Sequence, residues 1–175
     1  LDYTYEKGSL KLRTFVTNIN RCDTPSNDFF NGEVLGFDVF NHYKFNNEFS
    51  VLAGITSQFQ DMKQHTSFSQ IEKGAGKQHF FDPYFSVNYF SDFGFTFNAG
   101  TRLNVHSEYG ENIVFNVNPA YNFNINTESK AKVFASYSTA FVTPTLSEIF
   151  TKLPSIDELL PEEDITIETG FELIL

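Results

Sequence analysis

The chain has 175 residues, enough for one domain with its own core, and 12 basic against 22 acidic residues give it a net charge of −10. That charge excludes a nucleic-acid surface, which needs a basic patch, and the single cysteine, Cys22, excludes an internal disulfide. Phenylalanine occurs 22 times and tryptophan never, in a chain only 41% hydrophobic. The aromatics are therefore spaced between polar residues, and no run approaches the ~18 apolar residues of a transmembrane helix.

Period-two alternation begins at Tyr3, breaks at the tight-turn signal Lys7-Gly8-Ser9, and resumes with Leu10, Leu12, Thr14 and Val16 opposite Lys11 and Arg13. At Phe15 the phase is ambiguous, because Phe15, Thr17 and Ile19 point to the other face, and a bulge is predicted there. Residues 21–31, with Pro25, Ser26, Asn27 and Asp28, read as a loop. The next strand sets Leu35, Phe37, Val39, Asn41, Tyr43 and Phe45 on one side. It turns at Asn46-Asn47 and returns with Phe49, Val51, Ala53, Ile55, Ser57 and Phe59. Residues 61–77 read as a polar loop.

Phe81, Pro83, Phe85, Val87 and Tyr89 form the following apolar face. Pro83 lacks an N–H and is expected near a strand end or a bulge. After Ser91-Asp92 comes the clearest strand, with Phe93, Phe95, Phe97, Ala99, Thr101, Leu103 and Val105 on one face and Asn98, Gly100, Arg102 and His106 behind. A loop at 107–112 leads into Ile113, Phe115, Val117, Pro119, Tyr121, Phe123 and Ile125, backed by Asn116, Asn118, Asn122 and Asn124. A turn at 126–129 opens a strand over 131–141. A loop with a short helical stretch at 146–150 follows, and then a return strand over 164–175.

Short turns near Gly8, Asn46, Ser91 and Thr127 alternate with longer connections at 21–31, 61–77, 107–112 and 142–163. Strands of about 12 or 13 residues exceed the usual ~5–6. At about 3.3 Å per residue and ~45° tilt they reach about 30 Å, the thickness of a bilayer core. The expected fold is all-β: an antiparallel up-and-down meander of about nine long strands, part of a large transmembrane β-barrel. Its turns would be periplasmic and its longer loops extracellular, with Tyr43, Tyr84, Tyr89, Tyr121 and Tyr137 as the aromatic belt. The same alternation also suits a soluble or surface-exposed β-sheet ligand-binding module with one wet face.

Ser136-Tyr137-Ser138-Thr139-Ala140-Phe141-Val142-Thr143-Pro144-Thr145-Leu146-Ser147-Glu148-Ile149-Phe150, followed by Leu160-Pro161-Glu162 and Glu168-Thr169-Gly170, resembles a strand-and-loop segment of TonB-dependent outer-membrane receptors. Upstream, Ala99-Gly100-Thr101-Arg102-Leu103-Asn104-Val105-His106-Ser107-Glu108-Tyr109-Gly110 and Asn118-Pro119-Ala120-Tyr121 resemble a hairpin of the same receptors and its continuation. The matches cover about residues 79–175; the first half matches by alternation only. Tyr137, Thr139, Phe141, Pro144, Leu146, Glu148, Pro161, Glu162, Glu168 and Gly170 carry the resemblance.

The resemblance implies active uptake of a siderophore, cobalamin or similar nutrient through the outer membrane of a diderm bacterium. In that family a barrel of about 22 strands surrounds an N-terminal plug. Extracellular loops bind the small-molecule ligand, and the inner-membrane TonB complex acts through the plug. This chain shows no plug-like segment or energy-coupling box, has too few strands and lacks a terminal aromatic residue. Residues 1–175 are therefore expected to be a middle part of the barrel, supplying wall and loops.

No nucleophile–base arrangement supports an enzyme, and no cofactor is expected. His42, His65, His79 and His106 are not at metal-ligand spacing. Asp157, Glu158, Glu162, Glu163 and Asp164 read as solvated loop charges, since they lack the spacing of a calcium loop. Gly74-Ala75-Gly76-Lys77 lacks the remainder of a phosphate loop. Arg102 and His106 fall on the expected lumen face near an outer loop, with Tyr109 just beyond. They are candidate contacts to plug or ligand, the plug being favoured because a wall arginine pairs with carboxylates of whatever fills the lumen. Expected partners are outer-membrane lipid, the protein's own plug, the TonB complex through that plug, and the nutrient.

Overall fold

The computed structural model describes residues 1–67, 69–127, 129–150 and 159–174. Among the described residues nine strands run in chain order: β1 (Asp2–Tyr5), β2 (Gly8–Asp23), β3 (Asp28–Lys44), β4 (Phe49–His65), β5 (Gln70–Phe90), β6 (Phe95–His106), β7 (Gly110–Asn124), β8 (Lys130–Val142) and β9 (Glu162–Ile174). A short helix, α1 (Leu146–Phe150), lies between β8 and β9. Each strand pairs antiparallel with the next, so the sheet is one continuous meander, open along β1 and β9. No helix among the described residues is long and apolar enough to cross a membrane.

Directly paired residues share a face, so the register turns the alternation into two surfaces. One row reads Leu12, Val39, Ile55 and Pro83 across β2 to β5. Another reads Val51, Val87, Ala99, Val117, Tyr137 and Ile167 across β4 to β9. Among the described residues nothing packs on this apolar face. Leu35 is 52% exposed, Phe171 62% and Ile167 71%. The accessible surface is 11872 Å², against about 8,700 Å² for a compact monomer of this mass.

The apolar band has two edges. At the Asn46 and Ser91 turns it ends in an aromatic row, with Tyr5 stacked on Tyr43 at 6.4 Å, Tyr43 edge-on to Phe45 at 4.8 Å and Phe45 tilted against Phe49 at 5.3 Å. The row continues through Tyr89 and Phe95 at 6.4 Å and Tyr121 and Phe123 at 6.0 Å. At the opposite end the same face becomes charged, with Glu33 opposite Asp61, Asp61 opposite Lys77 and Glu163 opposite Phe141. Tyr43, Tyr89 and Tyr121 thus stand in the aromatic row, and Tyr137 stands within the band against Phe115. Tyr84 does not belong to the belt: it lies on the polar face, where its hydroxyl donates to Asp38 Oδ1 at 3.0 Å.

Two of the predicted loops are strand. β2 and β3 run on to a turn at 24–27, where Asn27 has φ 57°, and β4 runs on to His65 and β5 begins at Gln70. Polar composition there reflects cross-strand pairing: Lys73 Nζ bonds Glu33 at 2.8 Å, Gln78 donates to Gln60 at 2.7 Å, and Asn31 donates to Asn20. The 107–112 loop likewise shrinks to 107–109. The end-to-end asymmetry is therefore one of strand overshoot and of a single long connection, 143–161.

The bulge predicted at Phe15 is absent, since β2 and β3 keep one register from Gly8↔Tyr43 to Asp23↔Asp28. The register shift falls between Met62 and Gln64. Phe15 reaches the polar face because Gly36 is its partner, and its ring lies where a Gly36 side chain would be. Phe134 covers Gly170 in the same way, and Phe40 and Tyr84 flank Gly54. Pro83 is mid-strand and not at the end or bulge expected, and the β5–β6 ladder skips from Phe81 to Tyr84 around its missing N–H.

Candidate functional site

The polar face carries the hydrogen-bonding side chains, and it has two parts. In the middle, Asp38 Oδ1 accepts from Thr56 at 3.1 Å and from Tyr84 at 3.0 Å. The guanidinium of Arg13 lies 5.3 Å from the Phe40 ring centre and that of Arg102 lies 5.4 Å from the Tyr84 ring centre. An arginine laid on an aromatic face keeps its N–H edge open to a ligand or partner. Among the described residues neither arginine forms an ion pair. Beside this row runs an amide ladder. Asn98 donates to Asn88 at 2.8 Å and accepts from Asn116 at 2.9 Å and Asn118 at 3.0 Å, and Ser136 donates to Asn118 at 2.6 Å.

The second part lies at the charged end, where the side chains buried on this face gather: Met62, Gln64, Ile71, Gln78 and His106. Here the described parts of the β8–β9 connection return to the sheet. α1 touches β5, and Ser147 Oγ stands 3.5 Å from Gln64 Oε1, 83 residues away in sequence. A second tie joins Tyr109, whose hydroxyl donates to the Leu159 carbonyl at 3.1 Å. A third joins Asn112, which donates to Glu163 at 3.0 Å.

The start of α1 is fixed by Thr-x-x-Glu chemistry. Thr145 is the N-cap, and Glu148 accepts from the Thr145 backbone N–H and from its hydroxyl, both at 2.8 Å. Those bonds, the backbone one first, hold the Glu148 carboxyl below its ordinary value of 4.5. A lowered folded-state value means that the box contributes fully above that ordinary value and is lost as pH falls through the lowered one. Thr145→Val is expected to cost the helix about 1 kcal/mol, and Glu148→Gln, which still accepts, to keep the box without its acid sensitivity. Limited proteolysis within 145–150 at pH 7 and pH 3.5 checks both. Equal cutting of wild type and Thr145→Val would sink the capping role.

The residues that carry the sequence resemblance fall along this connection and its two strands. Thr139 Oγ1 accepts from the Phe115 N–H at 3.0 Å, and Tyr137 stacks on Phe115 at 5.5 Å. Phe141 pairs with Glu163, Glu162 with Val142 and Glu168 with Ser136, while Gly170 lies beneath Phe134. Pro144 and Leu146 bracket the N-cap, and Pro161 immediately precedes β9. Arg102 and His106 share the polar face but not one site: Arg102 pairs with Tyr84 in the middle, and His106 pairs with Phe80 at the charged end beside Tyr109. Asp157 and Glu158 of the acidic group lie outside the described residues. The Thr56–Asp38–Tyr84 bonds had no signal in the sequence, whereas the Thr145–Glu148 box is a readable four-residue spacing. No protein-family model matches the chain, and no curated protein matches it.

Proposed function

We propose that this chain is barrel wall and extracellular connection of a TonB-dependent outer-membrane receptor, which carries a siderophore, cobalamin or similar scarce nutrient into a diderm bacterium. The observation that supports it most is the uncovered apolar face, limited on one side by an aromatic row and on the other by charge. From Phe45 to Leu35 the band runs about 33 Å along β3 at ~3.3 Å per residue, or about 25 Å high at a tilt of ~40°. That matches the lipid-facing band of an outer-membrane barrel, and an aromatic row suits its interface. In water such a face is an aggregation surface; in lipid it is solvated, and strand pairing satisfies the backbone.

The polar face then lines the lumen. Arg13 and Arg102 offer donors to carboxylates of a plug, and the connection carrying α1 overhangs the nutrient's entry. This segment performs no covalent step. Its work is to hold a polar wall and to position the overhanging connection, while the TonB complex acts through the plug.

Fractionation and uptake test this on the intact protein. It is expected to stay with outer membranes through an alkaline wash and to leave only with detergent. Cells without it are expected to lose energy-dependent accumulation of one iron chelate or of cobalamin. Release by alkali alone would remove the membrane reading, and unchanged accumulation across those nutrients would remove the transport reading.

A further inference from the structure

His106 ends β6 and organises the turn that follows. It is 3% exposed, and its Nδ1 accepts from the backbone N–H of Glu108 at 2.9 Å and of Tyr109 at 3.3 Å. A ring nitrogen that accepts carries no proton, so the imidazole is neutral with its proton on Nε2. The ring stands edge-on to Phe80 with centres 4.6 Å apart and lies 5.1 Å from the ring of Tyr109. Nε2 is buried with no hydrogen-bond partner. The Tyr109 hydroxyl in turn holds the Leu159 carbonyl. One buried imidazole thus shapes a turn whose tyrosine ties down the β8–β9 connection.

We propose that His106 is a pH-sensitive latch on that connection, holding it through Tyr109 when neutral and releasing it when protonated. Protonation places an N–H on Nδ1, which already faces two backbone N–H groups, so three donors are left without an acceptor. The charge also arises on a ring enclosed by Phe80 and Tyr109, where water cannot solvate it unless the ring leaves. Of the charged neighbours, Glu108 on the turn favours the charged ring and His79 on β5 opposes it. Gln78 and Asp82 flank Phe80 on the same face of β5, and Gly110, the β7 partner, adds no charge. The latch is closed above about pH 6.5, the ordinary histidine value, and opens as pH falls below it. It does not depend on the protein being a transporter.

Hydrogen exchange on the intact protein in detergent, corrected for intrinsic rates, reads the latch directly. Between pH 7.5 and pH 5.0, protection of 107–110 and of 159–163 is expected to fall together, by at least ten-fold. His106→Asn supplies an acceptor that does not titrate, and the fall is expected to vanish. Tyr109→Phe is expected to unprotect 159–163 at both pH values while the turn still responds. Wild-type protection that is unchanged with pH, or a His106→Asn protein that keeps the fall, would overturn the latch. Should that variant fail to fold, the wild-type imidazole resonances decide: a ring that titrates without moving the Glu108 and Tyr109 amides also overturns it.

Discussion

Ile55→Arg is expected, on the proposed membrane reading, to cost the folded protein about 2–4 kcal/mol, the penalty for a cation near the midplane of a barrel's lipid face. That is roughly a 30- to 900-fold shift in the folding equilibrium. Ile55 lies between Val39 and Pro83 in the middle of the apolar band, on the face that none of the described residues covers. Three residues along the same strand, Gln58 belongs to the polar face, paired with Gly36 and Phe80. Gln58→Arg is expected to leave assembly nearly unchanged, because the lumen side of such a wall is wet. Folded fraction by heat-modifiable gel mobility, with unfolding in urea from lipid vesicles, measures both. Equal effects of the two arginines would mean that the apolar face does not meet lipid.

Gly94→Ala is the second large effect, about 3 kcal/mol or more. Gly94 has φ +97°, a conformation that strains any side-chain-bearing residue. Its Cβ would also run into the backbone carbonyl of Asn122. That carbonyl cannot easily withdraw, because the Asn122 N–H donates to Gly94 O at 2.9 Å and the Asn122 side chain donates to the same oxygen at 3.1 Å. Backbone strain of ~1–3 kcal/mol and overpacking of ~1–3 kcal/mol then add. Gly110 is the internal comparison: its φ is +72°, but nothing lies within 4 Å of its Cβ position. Gly110→Ala is expected to cost only about 1–2 kcal/mol. Unfolding midpoints of the two variants decide it, and a Gly94→Ala protein no weaker than Gly110→Ala would show that the Asn122 strand yields.

What was legible in the sequence is what depends on neighbours one and two residues away. Leu35, Phe37 and Val39 announce their face without help, and so do the returns at Asn46 and Ser91. What depended on a distant partner was not legible. Lys73 reads as a loop charge until Glu33, 40 residues earlier, is opposite it. Phe15 looks like a break in phase until Gly36 is beneath it. Pro83 looks like a strand end because its cost is local, while the ladder skips it and carries on. At the candidate site, the polar face of Arg102 and His106 followed from alternation. The crossing of the connection to β5 did not, because a contact across 83 residues leaves no trace in local spacing.

The nine strands of the described residues form an unbroken meander, so β1 and β9 run in the same direction. Their outer edges can meet directly only as a parallel seam. A ring in which every pair is antiparallel holds an even number of strands, as bacterial single-chain barrels do. Turning this sheet into such a ring therefore takes an odd number of added strands, whether from the same polypeptide or from another. Removing the four-residue β1, or equally β9, would reverse the requirement, leaving two outer strands that run antiparallel to each other. Parity thus sets which closures are open to the sheet, and one strand more or fewer at either edge changes the answer.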